Sequence, residues 1–338
     1  MAEADRAAFP DLYQPTISIR PDTRVATAGS CFAQHIGRYL RDAGCTVLDA
    51  EPPPRSMTEA VAKRYGYGLF SGRYGNVYTA RQMRQLLEEV AEGQADPRLV
   101  WDREGRFVDA LRPQVEPEGL ASVEEVLLHR DYHLERTSRM LRQSDVFIFT
   151  LGLTEAWEDR ATGRVLPLCP GVAGGTFDSE AYVFRNFRHS EILADLHAIK
   201  ALLRRFNPAM SLILTVSPVP LTATATGRHV LDATSWSKAT LRGAVGEFVE
   251  ETDDVDYFPS FEIVTHPASG GPWFEENLRS VSPAGVDKVM SIFLGGHGLG
   301  IDRDTAPPLP PPVDENESDG DTADDLVCED LLLQAFAR

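Results

Sequence analysis

"RVATAGSCFAQHIGRYLRDAG", residues 24–44, is the stretch on which the fold turns. An apolar run of strand length stops at Gly29, Ser30 and Cys31. A helical pattern begins at once and ends on Gly44, a residue suited to closing a helix. A strand here hands straight over to a helix. Four more short apolar runs bounded by turn residues, 45–50, 145–152, 211–219 and 255–264, read as buried strands. Helical patterns separate them: "ARQMRQLLEEVAE" behind Thr79 as N-cap, then 122–143, 190–208 and 282–298. Strands alternating with helices predict an α/β chain with a mostly parallel sheet covered on both faces. In such sheets, sites form beyond the carboxyl ends of the strands. Attention therefore falls on "TAGSCFA", "FTLGLTEAW", "TVSPVPLTAT" and "PSFEIVTHPASGG".

Composition narrows the function. The chain has 338 residues, 43% apolar and 25% charged, the balance of a globular protein. Its net charge of −18 argues against nucleic acid, whose binding depends on neutralising phosphates. No apolar run approaches a membrane span, and the N-terminus lacks the basic and apolar regions of a signal peptide, so a cytoplasmic protein is expected. The four cysteines show no metal spacing, and no Gly-rich phosphate loop is present. Neither a metal nor a cofactor is expected. Half of the net charge sits in residues 301–338, with eleven acidic residues and two arginines. This Pro-rich stretch is too polar to build a core, so residues 1–300 are expected to form one α/β domain followed by a disordered tail. The tail ends in a short amphipathic segment, "LVCEDLLLQAFAR", either a fraying end or a docking element for a protein partner.

Ser30 carries two readings. A serine where a helix opens has its oxygen near unpaired N–H groups at the positive end of the helix dipole, donors suited to an oxyanion. Equally, serine is a favoured N-cap and Gly-Ser a common turn. Cys31 offers a second nucleophile or a small buried side chain.

"GSCFA" at 29–33 is followed, in order, by "SGRYGNVYTARQ" (71–82), "FTLGLTEAW" (149–157), "LTVSPVPLTAT" (214–224), "HVLDATSWSKATLR" (229–242) and "YFPSFEIV" (257–264). These blocks resemble the GSCFA family, relatives of the SGNH/GDSL-like hydrolases, over about residues 15–297. The resemblance implies a flavodoxin-like three-layer α/β/α sandwich with Ser30 as nucleophile. It further implies Gly75 (or Gly72) and Asn76 as oxyanion donors. Where the wider group carries an asparagine in its third block, this chain has Gly152, Thr154 and Glu155. Glu155 suits gripping a substrate hydroxyl or orienting a base, because an ionised carboxylate only accepts hydrogen bonds. The Asp-x-x-His pair that activates the serine in SGNH enzymes is missing: Asn277 and Ser280 stand in those positions, and neither is a base near neutral pH.

Among the eight histidines, His229 and His266 fall in segments at the catalytic end, and His229, inside a matching block, is the preferred base. Arg73, Lys238 and Arg279 could hold a substrate carboxylate or phosphate, or pair with Glu155 or Glu262. Two functions stay open. One is a serine esterase, deacetylase or O-acyltransferase acting on a small-molecule or glycan ester through an acyl-serine. The other is a non-catalytic module of the same fold, binding an anionic metabolite, a glycan or a protein.

Overall fold

The structure, a computed structural model, describes Phe9 and residues 11–300. The expected tail and its amphipathic end lie outside the described residues. Four parallel strands form the central sheet in the order β1 (Val25–Gly29), β4 (Val146–Leu151), β8 (Ser211–Val216) and β9 (Val255–Phe258). The remaining strands are β2 (Val100–Arg103), β3 (Arg106–Asp109), β5 (Glu155–Asp159), β6 (Val165–Leu166) and β7 (Tyr182–Asn186). The helices are α1 (Ala33–Asp42), α2 (Glu59–Arg64), α3 (Ala80–Glu92), α4 (Val123–Gln143), α5 (His189–Phe206), α6 (Val230–Glu251), α7 (Ser260–Thr265) and α8 (Pro283–Gly296).

Alternation along the strands sorts the helices into layers, because successive side chains leave opposite faces of a sheet. Ala26, Ala28, Phe147, Phe149, Leu212 and Leu214 share one core with α3, α4, α5 and α6. Val25, Val146, Ile148 and Ile213 share the other with α1, α7 and α8. Both faces are covered, giving the three layers expected of the chain. Thr79 closes a capping box with Gln82 at the start of α3, as the sequence predicts.

Two predicted strands are corrected. Residues 45–50 give only a single parallel bridge, Val25 to Val47. Beyond it the 71–77 segment takes over the edge of β1: Ser71 N–H donates to Thr27 O at 3.2 Å and Val77 N–H to Gly29 O at 2.9 Å. The run 255–264 is a strand only to Phe258. Pro259 cannot donate to a ladder, and α7 starts at Ser260. The chain also forms two small antiparallel sheets, β2-β3 and β6-β5-β7. They share a minor core around Trp101, Val108 and Leu166.

A buried polar knot holds the 71–77 segment in place. Glu51, 3% exposed, accepts the Arg73 N–H at 3.0 Å and pairs with His133 Nδ1 on α4. Burial pulls the fully buried His133 down to about 4. Although burial opposes the charge on Glu51, its His133 and Arg112 neighbours and the Arg73 amide hold it at about 2. The pair is therefore a carboxylate accepting from a neutral imidazole, whose other nitrogen, Nε2, has no hydrogen-bond partner. Both shifts have the same consequence in acid. Between about pH 6.5 and 4 the unfolded His133 binds a proton that the native one refuses. Between about 4.5 and 2 the unfolded Glu51 does the same. Stability should fall as pH drops through these windows. Urea titrations of His133→Asn between pH 7 and 4 should show a flatter fall than the wild type, and an unchanged slope would remove His133 from this account. Glu51→Ala leaves the Arg112 cation, the His133 imidazole and the Arg73 amide without this acceptor and should cost about 3 kcal/mol or more.

Candidate active site

Thr150, on the neighbouring strand, fixes where β1 must end. Gly29 has φ +147°, and a Cβ there would lie 2.5 Å from Thr150 O. Only glycine fits, and Ser30 N–H then bonds Thr150 O at 3.1 Å. Gly29→Ala should lose roughly 3 kcal/mol or more of stability through strain and overlap, read as a lowered Tm. The turn puts Ser30 at the mouth of the sheet, 3% exposed, with no hydrogen-bond partner for its Oγ. Ser30 is not the helix cap. Phe32 occupies the N-cap position of α1 without a side-chain bond, and Ser30 gives only its carbonyl, to Ala33 N–H at 2.8 Å.

Ser30 opens into a cavity of about 120 Å³ between the carboxyl ends of β1, β4 and β8, the β5–β7 sheet and the loop before α8. Cys31, Gly152, Glu155, Arg279 and Ser280 also line it. Gly152 is held against the serine: a Cβ there would meet Ser30 Cβ at 3.0 Å and the Tyr78 ring at 3.2 Å. Its amide and that of Leu153 donate to Tyr78 O, at 2.8 and 3.2 Å. Ser30 and Gly152 thus spend their backbone N–H groups on carbonyls inside the protein.

Glu155 accepts the Thr224 hydroxyl at 2.8 Å, and burial pushes its carboxyl above the usual range. Asn277 Oδ1 takes the N–H groups of Arg279 and Ser280, both at 2.9 Å, and its amide donates to Ser280 Oγ at 3.0 Å. The positions that carry the acid and base in SGNH enzymes here form a self-bonded turn, with Ser280 facing the cavity.

The structure brings together Ser30, Gly152, Glu155 and Arg279 but not the other predicted site residues. Gly75 (φ +67°) packs near Arg112, and Asn76 lines a separate small cavity beside Gln82 and Arg130. His229 is exposed at the N-cap of α6, its Nδ1 accepting Leu231 N–H at 3.2 Å. His266 likewise caps a short turn through Ala268 N–H. Among the described residues, none of the eight histidines lines the Ser30 cavity. Arg73 pairs with Glu116 and Glu262 with Arg242, each away from the cavity.

Lys238 takes a place the sequence reading did not give it. It is 1% exposed, and its Nζ donates to Gly152 O at 2.7 Å, with no other hydrogen bond among the described residues. Burial lowers it to about 7, while Cys31 raises it and Arg279 lowers it further, and both of these residues line the cavity. Its spacing held the signal. Lys238 falls on the buried stripe of α6 with Leu241 and Val245, at i+3 and i+7. Lys200, also buried, differs: it bonds the carbonyls of Met210 and Asp254 and serves as a brace.

These features define a three-layer α/β protein with a serine at the carboxyl end of its first strand. Residues 24–293 match the GSCFA family, and the chain belongs to that family. No curated protein matches it. Among solved structures it is similar to a carbohydrate esterase family 3 protein from Talaromyces cellulolyticus, at 8% identity over 82% of this chain and 100% of that one, TM-score 0.38. An acetyl esterase variant with acetate ion follows at 11% identity, 80% and 93% coverage, TM-score 0.35. A carbohydrate acetylesterase family member from Sinorhizobium meliloti gives 13% identity, 82% and 100% coverage, TM-score 0.29.

Proposed function

We propose that the protein is a serine-dependent acyl-ester hydrolase or O-acyltransferase in which Ser30 is the nucleophile and Lys238 takes its proton. One observation carries this reading: the buried Ser30 hydroxyl, with no hydrogen-bond partner, faces a cavity that no histidine lines, and a buried amine bonds the carbonyl of Gly152, the residue packed against the serine. A neutral lysine has a lone pair for the task while an N–H remains on Gly152 O, and a shift to about 7 keeps it neutral in part at physiological pH.

Ser30 Oγ attacks the acyl carbon as its proton passes to Nζ. The tetrahedral species then expels the alkoxide, which takes that proton back and leaves as the alcohol. Water, or an acceptor hydroxyl, repeats the sequence on the acyl-serine and releases the acid or a new ester. Arg279, on the cavity wall, brings positive charge toward the developing oxyanion.

The turn formed by Asn277 and Ser280 favours a second reading, a binding module without turnover. A fluorophosphonate probe separates the two. Labelling of the intact chain at Ser30, mapped by peptide mass spectrometry, supports the enzyme; no labelling of the folded protein supports the binder.

A further inference from the structure

The cavity beside Ser30 has walls that suit one half of an ester and not the other. Its lining includes the apolar side chains of Leu153, Trp157, Leu168, Phe184 and Leu221. Trp157 and Phe184 meet edge to face on adjacent strands of the β5–β7 sheet, with ring centroids 5.7 Å apart. That sheet is absent from the predicted strands, and its inner face becomes the side of the pocket.

Several of the polar groups in the lining are already engaged. Glu155 holds Thr224, Ser217 Oγ accepts Val219 N–H at 3.2 Å, and Ser280 is bonded to Asn277. A sugar ring placed here would turn hydroxyls against aliphatic and aromatic walls and lose their hydrogen bonds to water. A hydrocarbon chain loses nothing of the kind and gains by leaving water. A water-sized group needs about 10–15 Å³ of such space, so 120 Å³ takes a chain of several heavy atoms. Acetyl, with two carbons, would leave most of it empty.

We propose that this cavity is an acyl-chain pocket, selecting esters whose acyl group has about four to eight carbons over acetyl esters, with the alcohol portion lying outside. The proposal rests on Ser30 being the nucleophile. It places the specificity in the β5–β7 sheet and the loop after β8.

The full chain should be assayed on p-nitrophenyl esters from acetate to dodecanoate. Burying one methylene is worth about 0.8 kcal/mol, roughly a fourfold gain in kcat/KM per carbon. The expected profile climbs about 200-fold or more from acetate to hexanoate and falls again by dodecanoate. Ala156→Leu, which narrows the cavity, should move the optimum toward acetate; Trp157→Ala should move it toward longer chains. Tm and phosphonate labelling of each variant report whether it folds.

A profile that peaks at acetate, or is flat, with Ser30 still labelled, overturns the pocket and leaves the nucleophile standing. If no ester is turned over and Ser30 is not labelled, titration with octanoate and acetate, followed by tryptophan fluorescence, decides the matter. Octanoate binding at least tenfold tighter than acetate keeps the pocket while removing the nucleophile; equal or absent binding overturns both.

Discussion

Ser30→Ala should abolish ester hydrolysis, with a loss in kcat/KM of about 10⁴-fold or more, the scale on which losing a nucleophile reduces a serine enzyme to its residual binding effects. The same variant should take up no phosphonate. Its stability should hardly change, and this contrast gives the experiment its power. Ser30 Oγ bonds nothing, and Phe32 rather than Ser30 stands at the N-cap of α1. Removing the oxygen therefore breaks no contact. Were the hydroxyl a cap, the substitution would cost about 1 kcal/mol and leave the chemistry alone. Turnover within tenfold of wild type, with a lowered Tm, would be the signature of that structural role and would end the assignment of Ser30 as nucleophile.

The architecture was readable because it depends on patterns that repeat. Short apolar runs and helical stripes place β1, β4, β8 and the helices α1, α3, α4, α5 and α8, while α2, α6 and α7 lie outside the predicted helices, and Gly29 and Thr79 mark two junctions. Reading failed where tertiary context decides. "CTVLDA" has the composition of a strand, yet the 71–77 segment wins the edge of β1 because Ser71 and Val77 pair there and Glu51 anchors Arg73. The β5–β7 sheet was hidden by its charged outer residues, such as Glu158 and Arg185, which pair across the strands instead of alternating with apolar ones. For the site, residue type misled. His229 and Asn76 carry the right chemistry in matching blocks, but one caps α6 and the other lines a different cavity. Lys238, a cation within a matching block of an acidic chain, reads as a holder of substrate anions or a salt-bridge partner of Glu155 or Glu262, and lysines are rarely fully buried. Only packing reveals that its amine ends on the carbonyl of Gly152, the residue packed against Ser30.

Lys238→Met tests the proton acceptor, and its expected cost is about 10²- to 10⁴-fold in kcat, the usual contribution of a positioned base. Methionine fills similar space and carries no base. Lys238→Arg should fail as fully, since a guanidinium stays protonated and has no lone pair to offer. The pH profile adds what a merely structural lysine would not move. Wild-type kcat/KM should rise as pH passes through about 7, where the amine loses its proton, and this limb should vanish in Lys238→Met.

Stability should respond to this substitution in the opposite sense to activity. Between about pH 7 and 10.5 the unfolded Lys238 holds a proton that the native state has released, so the residue opposes folding below its ordinary range, and stability rises with pH across that window. Methionine removes the opposition, and the variant should be as stable as wild type at pH 7 or more so, with a flatter dependence on pH. An active Lys238→Met with its rising limb intact would show that the lysine only props the Gly152 carbonyl. A variant stable, folded and inactive, with Ser30 unlabelled by phosphonate at pH 8, ties the reactivity of the serine to the amine behind it.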